Sequence, residues 1–383
     1  MLNGRKLILD TRCEVYDQLR HWEDESFYDF SIHTIVPGAI YIIGRAQFNF
    51  NKKQICELVE SDTIRVILSN PTEGSETLKA YCEKVYNIAD LVVQGRILLI
   101  GGGDMEPIWP CLVYDSFMPK IHDYKENQQE IDKARSLYTT PNKPYKFLFL
   151  NGRRRNHRKF LIEKLNTMGL LEHSLWSCLD GGAAVGPVNL SVPLNGTELM
   201  LVNRKPTLLP PCYEVDRYSK NIDQIQGHGS GYVKFELFDQ EWGEIYLKAE
   251  PYVDTYFSLV SETVCDYPYS FRTEKIWKPV AIGHPWIAAA NRGYYRDIRN
   301  LGFQTFSHVI DESFDEIDNT QDRLTRITQV VEDLCKQDLD KFLESCYNVC
   351  KYNQQHLVNM RLQVRKEFPD RFLKFIDKYQ FNE

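Results

Sequence analysis

Three runs decide the fold class: Thr255-Tyr256-Phe257-Ser258-Leu259-Val260-Ser261, then Thr273-Glu274-Lys275-Ile276-Trp277-Lys278-Pro279, then His284-Pro285-Trp286-Ile287-Ala288-Ala289-Ala290. The first and third are dense in apolar residues and short, as strands buried on both faces are. The second reads as a helix over Thr273–Ile282, opened by a threonine that can cap it. Gly293–Leu301 follows as a further helix and Gln304–His308 as a further strand. Alternation of this kind predicts half of a doubly wound parallel sheet.

Working outward, Tyr145–Leu150 is another dense apolar strand, and Leu150 is followed by an Asn-Gly turn. The stretch before it, from about Tyr124 to Pro144, is polar and ends Thr139-Thr140-Pro141-Asn142-Lys143-Pro144, which reads as a linker. In the first third, strands are expected at Lys6–Asp10, Ala39–Gly44, Thr63–Ser69 and Arg96–Ile100, with helical patterns such as Lys53–Val59 and Glu76–Val85 between them. Residues 181–250 hold Gly- and Pro-rich loops and the aromatic stretch Tyr232–Leu247. The end is helical: Gln321–Leu334, Asp338 to about Val364, and a last segment opened by Pro369. The expected fold class is α/β, with two Rossmann-like domains facing each other over residues 1–143 and 144–320. C-terminal helices over 321–383 would pack on or between them.

Composition narrows the function. With 383 residues the chain can hold two domains, and no apolar run reaches the roughly 18–20 residues that cross a bilayer. The net charge of −7 disfavours a nucleic-acid partner across the whole surface, though not at a local basic site. No secretory signal is visible and the ten cysteines contain no C-x-x-C pair, so reduced thiols and a cytoplasmic location are expected. Cys346 and Cys350 read as small apolar residues on one helix face rather than a metal clip. Asp311-Glu312-Ser313-Phe314-Asp315 lacks the spacing and central glycine of a calcium loop. No metal is expected. His284 reads as a structural residue.

Two constellations carry chemistry. In Asn151-Gly152-Arg153-Arg154-Arg155-Asn156-His157-Arg158-Lys159 a strand runs through a tight turn into a helix, with cations gathered at the helix start. A helix N-terminus disfavours cations by about 0.3–1 kcal/mol each, so their presence suits a bound anion such as a phosphate ester. The plainer alternative is a solvated basic loop. The second constellation is Glu262-Thr263, an aromatic loop with Tyr267, Tyr269 and Phe271, then Thr273-Glu274-Lys275. Glu274 could accept bonds from ribose hydroxyls, or only complement the helix dipole. Lys275 could meet a phosphate oxygen. Glu262 would hold the loop or contact a nucleotide, and the three aromatic residues would cover the loop or stack on a base.

These residues resemble the donor-binding segment of GT-B glycosyltransferases, and most closely that of the α1,3-fucosyltransferase family. There a Glu-Asn pair, a loop and a Thr-Glu-Lys triplet follow a strand, and a strand–Asn–Arg–helix segment opens the donor domain. Thr263 stands here where that family has Asn, and the Tyr267-Pro268-Tyr269 loop is unusual. The chain also resembles poorly characterised proteins encoded by bacteriophages. The resemblance covers about 150–310. It implies a nucleotide-sugar co-substrate, GDP- or UDP-linked, transferred with inversion to a glycan or other hydroxyl acceptor without a metal. It places Asn151, Arg153, Arg154, Arg155, Glu262, Thr273, Glu274 and Lys275 around the donor. The general base would come from the first domain, where Glu73, Asp104 and Glu106 follow strands. The Gly101-Gly102-Gly103 run reads as close backbone approach at the cleft, since G-x-G-x-x-G spacing is missing. Rival readings are a glycosyltransferase acting on a modified base in DNA, a nucleotide- or glycan-binding protein without turnover, and a purely structural interaction protein.

Overall fold

The computed structural model describes residues 6–9, 13–19, 27–28, 36–44, 57–58, 60, 64–103, 109–123, 125–151, 155–178 and 247–379. The chain divides into two compact units, Met1–Ser116 with Met360–Glu383, and Phe117–Asn359.

The first unit is built on β1 (Leu7–Leu9), α1 (Tyr16–Leu19), β2 (Phe27–Tyr28), β3 (Ile40–Gly44), β4 (Arg65–Asn70), α2 (Ser75–Ala80), α3 (Ala89–Val93), β5 (Ile97–Gly101) and β6 (Cys111–Val113). Its strands pair in the order β2-β1-β3-β4-β5-β6, every pair parallel. The strands β3, β4 and β5 are buried along their whole length, which explains why their sequences are apolar runs without alternation. The four expected strands are present within about two residues, whereas β2 and β6, short edge strands, were not anticipated.

The second unit holds α4 (Phe117–Asp123), α5 (Lys125–Lys133), β7 (Tyr145–Asn151), α6 (Asn156–Thr167), β8 (Ser174–Cys178), α7 (Glu250–Val253), β9 (Thr255–Ser261), α8 (Glu274–Ile282), β10 (Trp286–Ala289), α9 (Tyr294–Asn300) and α10 (Thr320–Cys335). Its sheet order is β10-β9-β7-β8, again all parallel. Gly283 closes α8 at φ +77°, a left-handed cap where a Cβ would also sit 2.7 Å from the Gln354 side chain. Gln304–His308 is not a strand: its backbone is held instead by side chains, Asn353 accepting from the Gln304 N–H at 2.8 Å and Glu312 from the Phe306 N–H at 2.8 Å.

Both sheets are Rossmann-like and flanked by helices, and the chain closes on helices, so the α/β class stands. The last helix, α11, runs unbroken over Leu339–Lys378 with Pro369 inside it. A proline in a helix interior costs about 3 kcal/mol, and Pro369 was expected to start a new segment. Phe368, Phe372, Phe375 and Ile376 explain the continuation: they are buried in one cluster with Leu7, Ile40, Ile67 and Ile100 of the first sheet. Burying such side chains stabilises by about 1.5–3 kcal/mol each, more than the proline costs.

The division between units falls after Ser116, so the Thr139–Pro144 segment lies within the second unit. The polar residues before it belong to helices and have fixed partners there. Asn127 accepts from the Leu247 N–H at 2.8 Å, and Glu130 from the Ala249 N–H at 2.9 Å. Tyr138 donates to the Gly283 carbonyl at 2.8 Å.

Candidate functional site

In the second sheet β7 has β8 on one side and β9 on the other, so the chain leaves β7 in one direction and returns in the opposite one. A reversal of this kind opens a crevice at the carboxyl ends of the two central strands. Asn151 ends β7, Ser261 ends β9, and the helices that follow these strands, α6 and α8, begin beside them.

The start of α6 has no side-chain cap. Arg155 occupies the capping position in extended conformation (φ −108°, ψ 153°), and its side chain accepts nothing from the first turn. Arg155, His157 and Arg158 are nonetheless buried. Arg158 donates to the carbonyls of Ser261 and Glu262 at 3.4 and 3.3 Å. His157 Nε2 lies 2.9 Å from the Glu262 carbonyl, which can only accept, so the proton sits on Nε2. Burial, then the charge of Arg158, holds this imidazole well below its ordinary pKa, and it stays neutral. Asn151, fully buried, donates to the Phe149 carbonyl at 3.3 Å.

The start of α8 is capped. Thr273 Oγ1 accepts from the Lys275 N–H at 3.4 Å and donates to Glu262 at 2.6 Å. Glu262 is completely buried, and its carboxylate also accepts from the N–H groups of Thr263 and Thr273 at 3.2 and 3.1 Å and from the Tyr294 hydroxyl at 2.8 Å. Burial pushes its pKa up, with Lys275 and Thr273 opposing. Of the two expected roles for Glu262, holding the loop is the one these bonds perform. Lys275 Nζ donates to Thr263 Oγ1 at 3.1 Å, to Thr273 Oγ1 at 3.3 Å and to Glu274. An ammonium has three protons, and all three are in use. Burial raises the Glu274 pKa, but Lys275 and Lys278 outweigh it and the carboxyl is held below its ordinary range, hence ionised. Of the loop aromatics, Phe271 and Tyr269 are buried, and Tyr267 packs on Tyr269 at 5.4 Å.

Asn151, Arg155, Glu262, Thr273, Glu274 and Lys275 are therefore gathered at one sheet edge. Arg153 and Arg154 lie outside the described residues, as do Asp104 and Glu106 of the first unit. Glu73 is half-buried in the turn after β4. The Gly101–Gly103 approach is made to Ser75, whose hydroxyl donates to the Gly103 carbonyl at 2.7 Å; a Cβ on Gly101 would meet it at 2.3 Å. Sequence reasoning did not single out Tyr294, 32 residues from Glu262, and no local pattern signals it. His157 and Arg158 were within the basic run, but their role as bridges from α6 to β9 is purely tertiary.

Two units of mostly parallel α/β construction are consistent with a GT-B-like fold in general. No protein-family model matches the chain, and no curated protein matches it either. Among the described residues, no helix is long and apolar enough to cross a membrane, and no group of His, Cys, Asp or Glu is placed to hold a metal ion.

Proposed function

We propose that the protein is a GT-B-type glycosyltransferase that moves a sugar from a nucleoside diphosphate donor, GDP- or UDP-linked, to a hydroxyl acceptor, a glycan among the candidates. The observation that carries this reading is the pair of unlike helix starts at the β7/β9 crevice. The α6 start, uncapped and rich in arginine, suits an anion. The α8 start presents an ionised Glu274, an acceptor for hydroxyl groups. A nucleotide sugar carries a diphosphate and a ribose within one molecule, and so can satisfy both.

In this reading the diphosphate lies against α6 with Arg153, Arg154 or Arg155, and Lys275 exchanges one internal partner for a phosphate oxygen. Glu274 takes the ribose hydroxyls. A carboxylate, with Glu73, Asp104 and Glu106 as the candidates, removes the acceptor proton. The acceptor oxygen forms a bond to the anomeric carbon from the side opposite the diphosphate, and the bond from that carbon to the diphosphate oxygen breaks with its electron pair. Inversion follows from the single displacement. The arginines and Lys275 stabilise the leaving charge in the place a divalent metal takes elsewhere. A cytoplasmic setting would supply such donors.

A thermal-shift panel of nucleotide sugars, followed by calorimetry and a hydrolysis assay, tests the reading. Lys275→Ala and Arg154→Ala are each expected to weaken nucleoside diphosphate binding by about 1.5–3 kcal/mol, the scale of a charge-assisted hydrogen bond. Unchanged affinity in both variants would overturn the site assignment. Binding without hydrolysis or transfer, in the presence of EDTA or Mn²⁺, would favour a non-catalytic nucleotide-binding protein.

A further inference from the structure

Arg323, on α10, is almost fully buried. Among the described residues no carboxylate hydrogen-bonds to it, although those of Asp315, Asp266 and Asp318 lie near enough to favour its charge against the burial. Its five N–H groups all go to neutral oxygens. Nε donates to the Ala290 carbonyl at 3.0 Å, just beyond β10. Nη1 donates to the carbonyls of Ile317 and Asp318 at 2.6 and 3.1 Å. Nη2 donates to the Cys265 carbonyl at 2.5 Å and to Thr320 Oγ1 at 3.2 Å. A buried charge that merely joined segments could be replaced by an apolar side chain at little cost, and its desolvation is expensive. Its partners here suggest what it is for. The carboxyl end of a parallel strand points carbonyl oxygens at any ligand, and these repel an anion. At this edge the buried carbonyls of Ser261, Glu262, Cys265 and Ala290 are each taken by a donor: Arg158, His157 with Arg158, Arg323, and Arg323 again. Arg155, Arg158 and Arg323 all lie near enough to Cys265 to pull its thiol downward, against the burial that pushes it up to about 12.

We propose that Arg323 is a positioning residue for the diphosphate of the donor. It neutralises strand-end carbonyls and ties the 262–273 loop at Cys265, so that Thr263, Thr273 and Lys275 are in place before the ligand arrives. The identity of that ligand rests on the glycosyltransferase reading; the loop's pre-ordering does not.

The test uses the full chain, with GDP and UDP as probes in calorimetry. Arg323→Lys keeps the charge but has three donors for five acceptors, and is expected to lose at least roughly tenfold in affinity for whichever diphosphate the wild type binds. Phe306→Leu, a core change in the same unit that touches none of the Arg323 bonds and keeps the backbone bond to Glu312, serves as the control for lost stability and should stay within about twofold. Thr320→Val strands only one of the N–H groups, and a loss of roughly threefold is expected, which keeps the question open to measurement if Arg323→Lys does not fold. Hydrogen exchange on the ligand-free wild type should show the Thr263 and Thr273 amides already slow. If the wild type binds neither probe, the donor reading fails and takes the ligand role of Arg323 with it. If the wild type binds and Arg323→Lys or Thr320→Val binds equally well, or if those amides slow only on ligand addition, Arg323 is not a positioning residue although the donor reading survives.

Discussion

The two sheets are built alike and end differently. In the first unit the turns after β4 and β5 are tied by neutral groups: Ser75 to the Gly103 backbone, Ser116 to the Pro71 carbonyl at 3.4 Å, and Thr72 to Asn70 at 3.2 Å. In the second unit the same strand ends meet Arg155, His157, Arg158, Glu262, Glu274, Lys275 and Arg323, and most of these are buried. Ionic groups are costly to bury, so a fold does not gather them without a use or a dense set of bonds to satisfy them. Both units solve the same packing problem with apolar parallel strands. Among the described residues, the carboxyl ends of the second sheet gather buried charge and those of the first do not.

The largest expected effect comes from breaking the hub of that charged edge. Glu262→Ala leaves the N–H groups of Thr263 and Thr273 and the hydroxyls of Thr273 and Tyr294 without their shared acceptor. A loss of about 3–5 kcal/mol is expected in urea unfolding of the full chain. A loss below about 1 kcal/mol would mean that the edge is held by something other than Glu262.

Next in size is the test of the first sheet. If its neutral strand ends still contribute a base, then Glu73→Gln, Asp104→Asn or Glu106→Gln should lower turnover at least roughly 100-fold, with donor affinity within about twofold. Equal turnover in all three would place the base outside this sheet's loops and leave the contrast between the two edges complete.

How much of this contrast could be read in advance depends on the range of the interactions. β9 and the capping by Thr273 were legible because both are local: a seven-residue, largely apolar run, and a threonine directly before an amphipathic stretch. The basic run after β7 stands out in the sequence, since arginine at a helix start contradicts the dipole. What was hidden joins distant residues. Tyr294 and Arg323 meet the 262–265 loop from 32 and 58 residues away. The unbroken course of α11 through Pro369 depends on a sheet that lies more than 250 residues earlier, as the bond from Arg65 to the Ile376 carbonyl, 311 residues apart, illustrates. The polar stretch before Pro144 misled for a related reason. Composition marks it as a linker, but Asn127 and Glu130 are buried with partners that appear only in the folded unit.

Acid probes the two ends of the second sheet separately. His284 lies at the amino end of β10, its Nε2 donating to the Thr255 carbonyl at 3.0 Å and its Nδ1 accepting from Ser258 at 2.9 Å. Burial holds its pKa down to about 3, against 6.5 unfolded. A histidine with a depressed pKa takes up protons in the unfolded chain first. Its stabilising contribution is therefore complete above pH 6.5 and is lost as the pH falls from there toward 3. By pH 5 it should have lost about 2 kcal/mol. His284→Gln should flatten the stability profile between pH 6.5 and 5 by about that amount while the slope from His157 remains. An unchanged slope in the variant would show that acid acts on the charged edge alone.

The smallest effect distinguishes a hub from a single strong contact. Tyr294→Phe removes one of the four hydrogen bonds to the Glu262 carboxylate and leaves those from Thr263 and Thr273 in place. No donor is stranded, because the hydroxyl goes with its bond, and Glu262 Oε1 keeps the Thr273 N–H. The cost should be about 1 kcal/mol, the net worth of one bond rather than the penalty of an orphaned group. Loss of a donor also favours the protonated carboxyl, so the pKa of Glu262, already raised by burial, should move further up. Stability carried by a carboxyl with a raised pKa is greatest where it is protonated and falls as the pH climbs through the folded value. Tyr294→Phe should therefore lose slightly more at pH 8 than at pH 5, which chemical unfolding at the two pH values would detect. A cost above about 3 kcal/mol, with no difference between the two pH values, would assign the edge to the Tyr294–Glu262 contact and remove the hub.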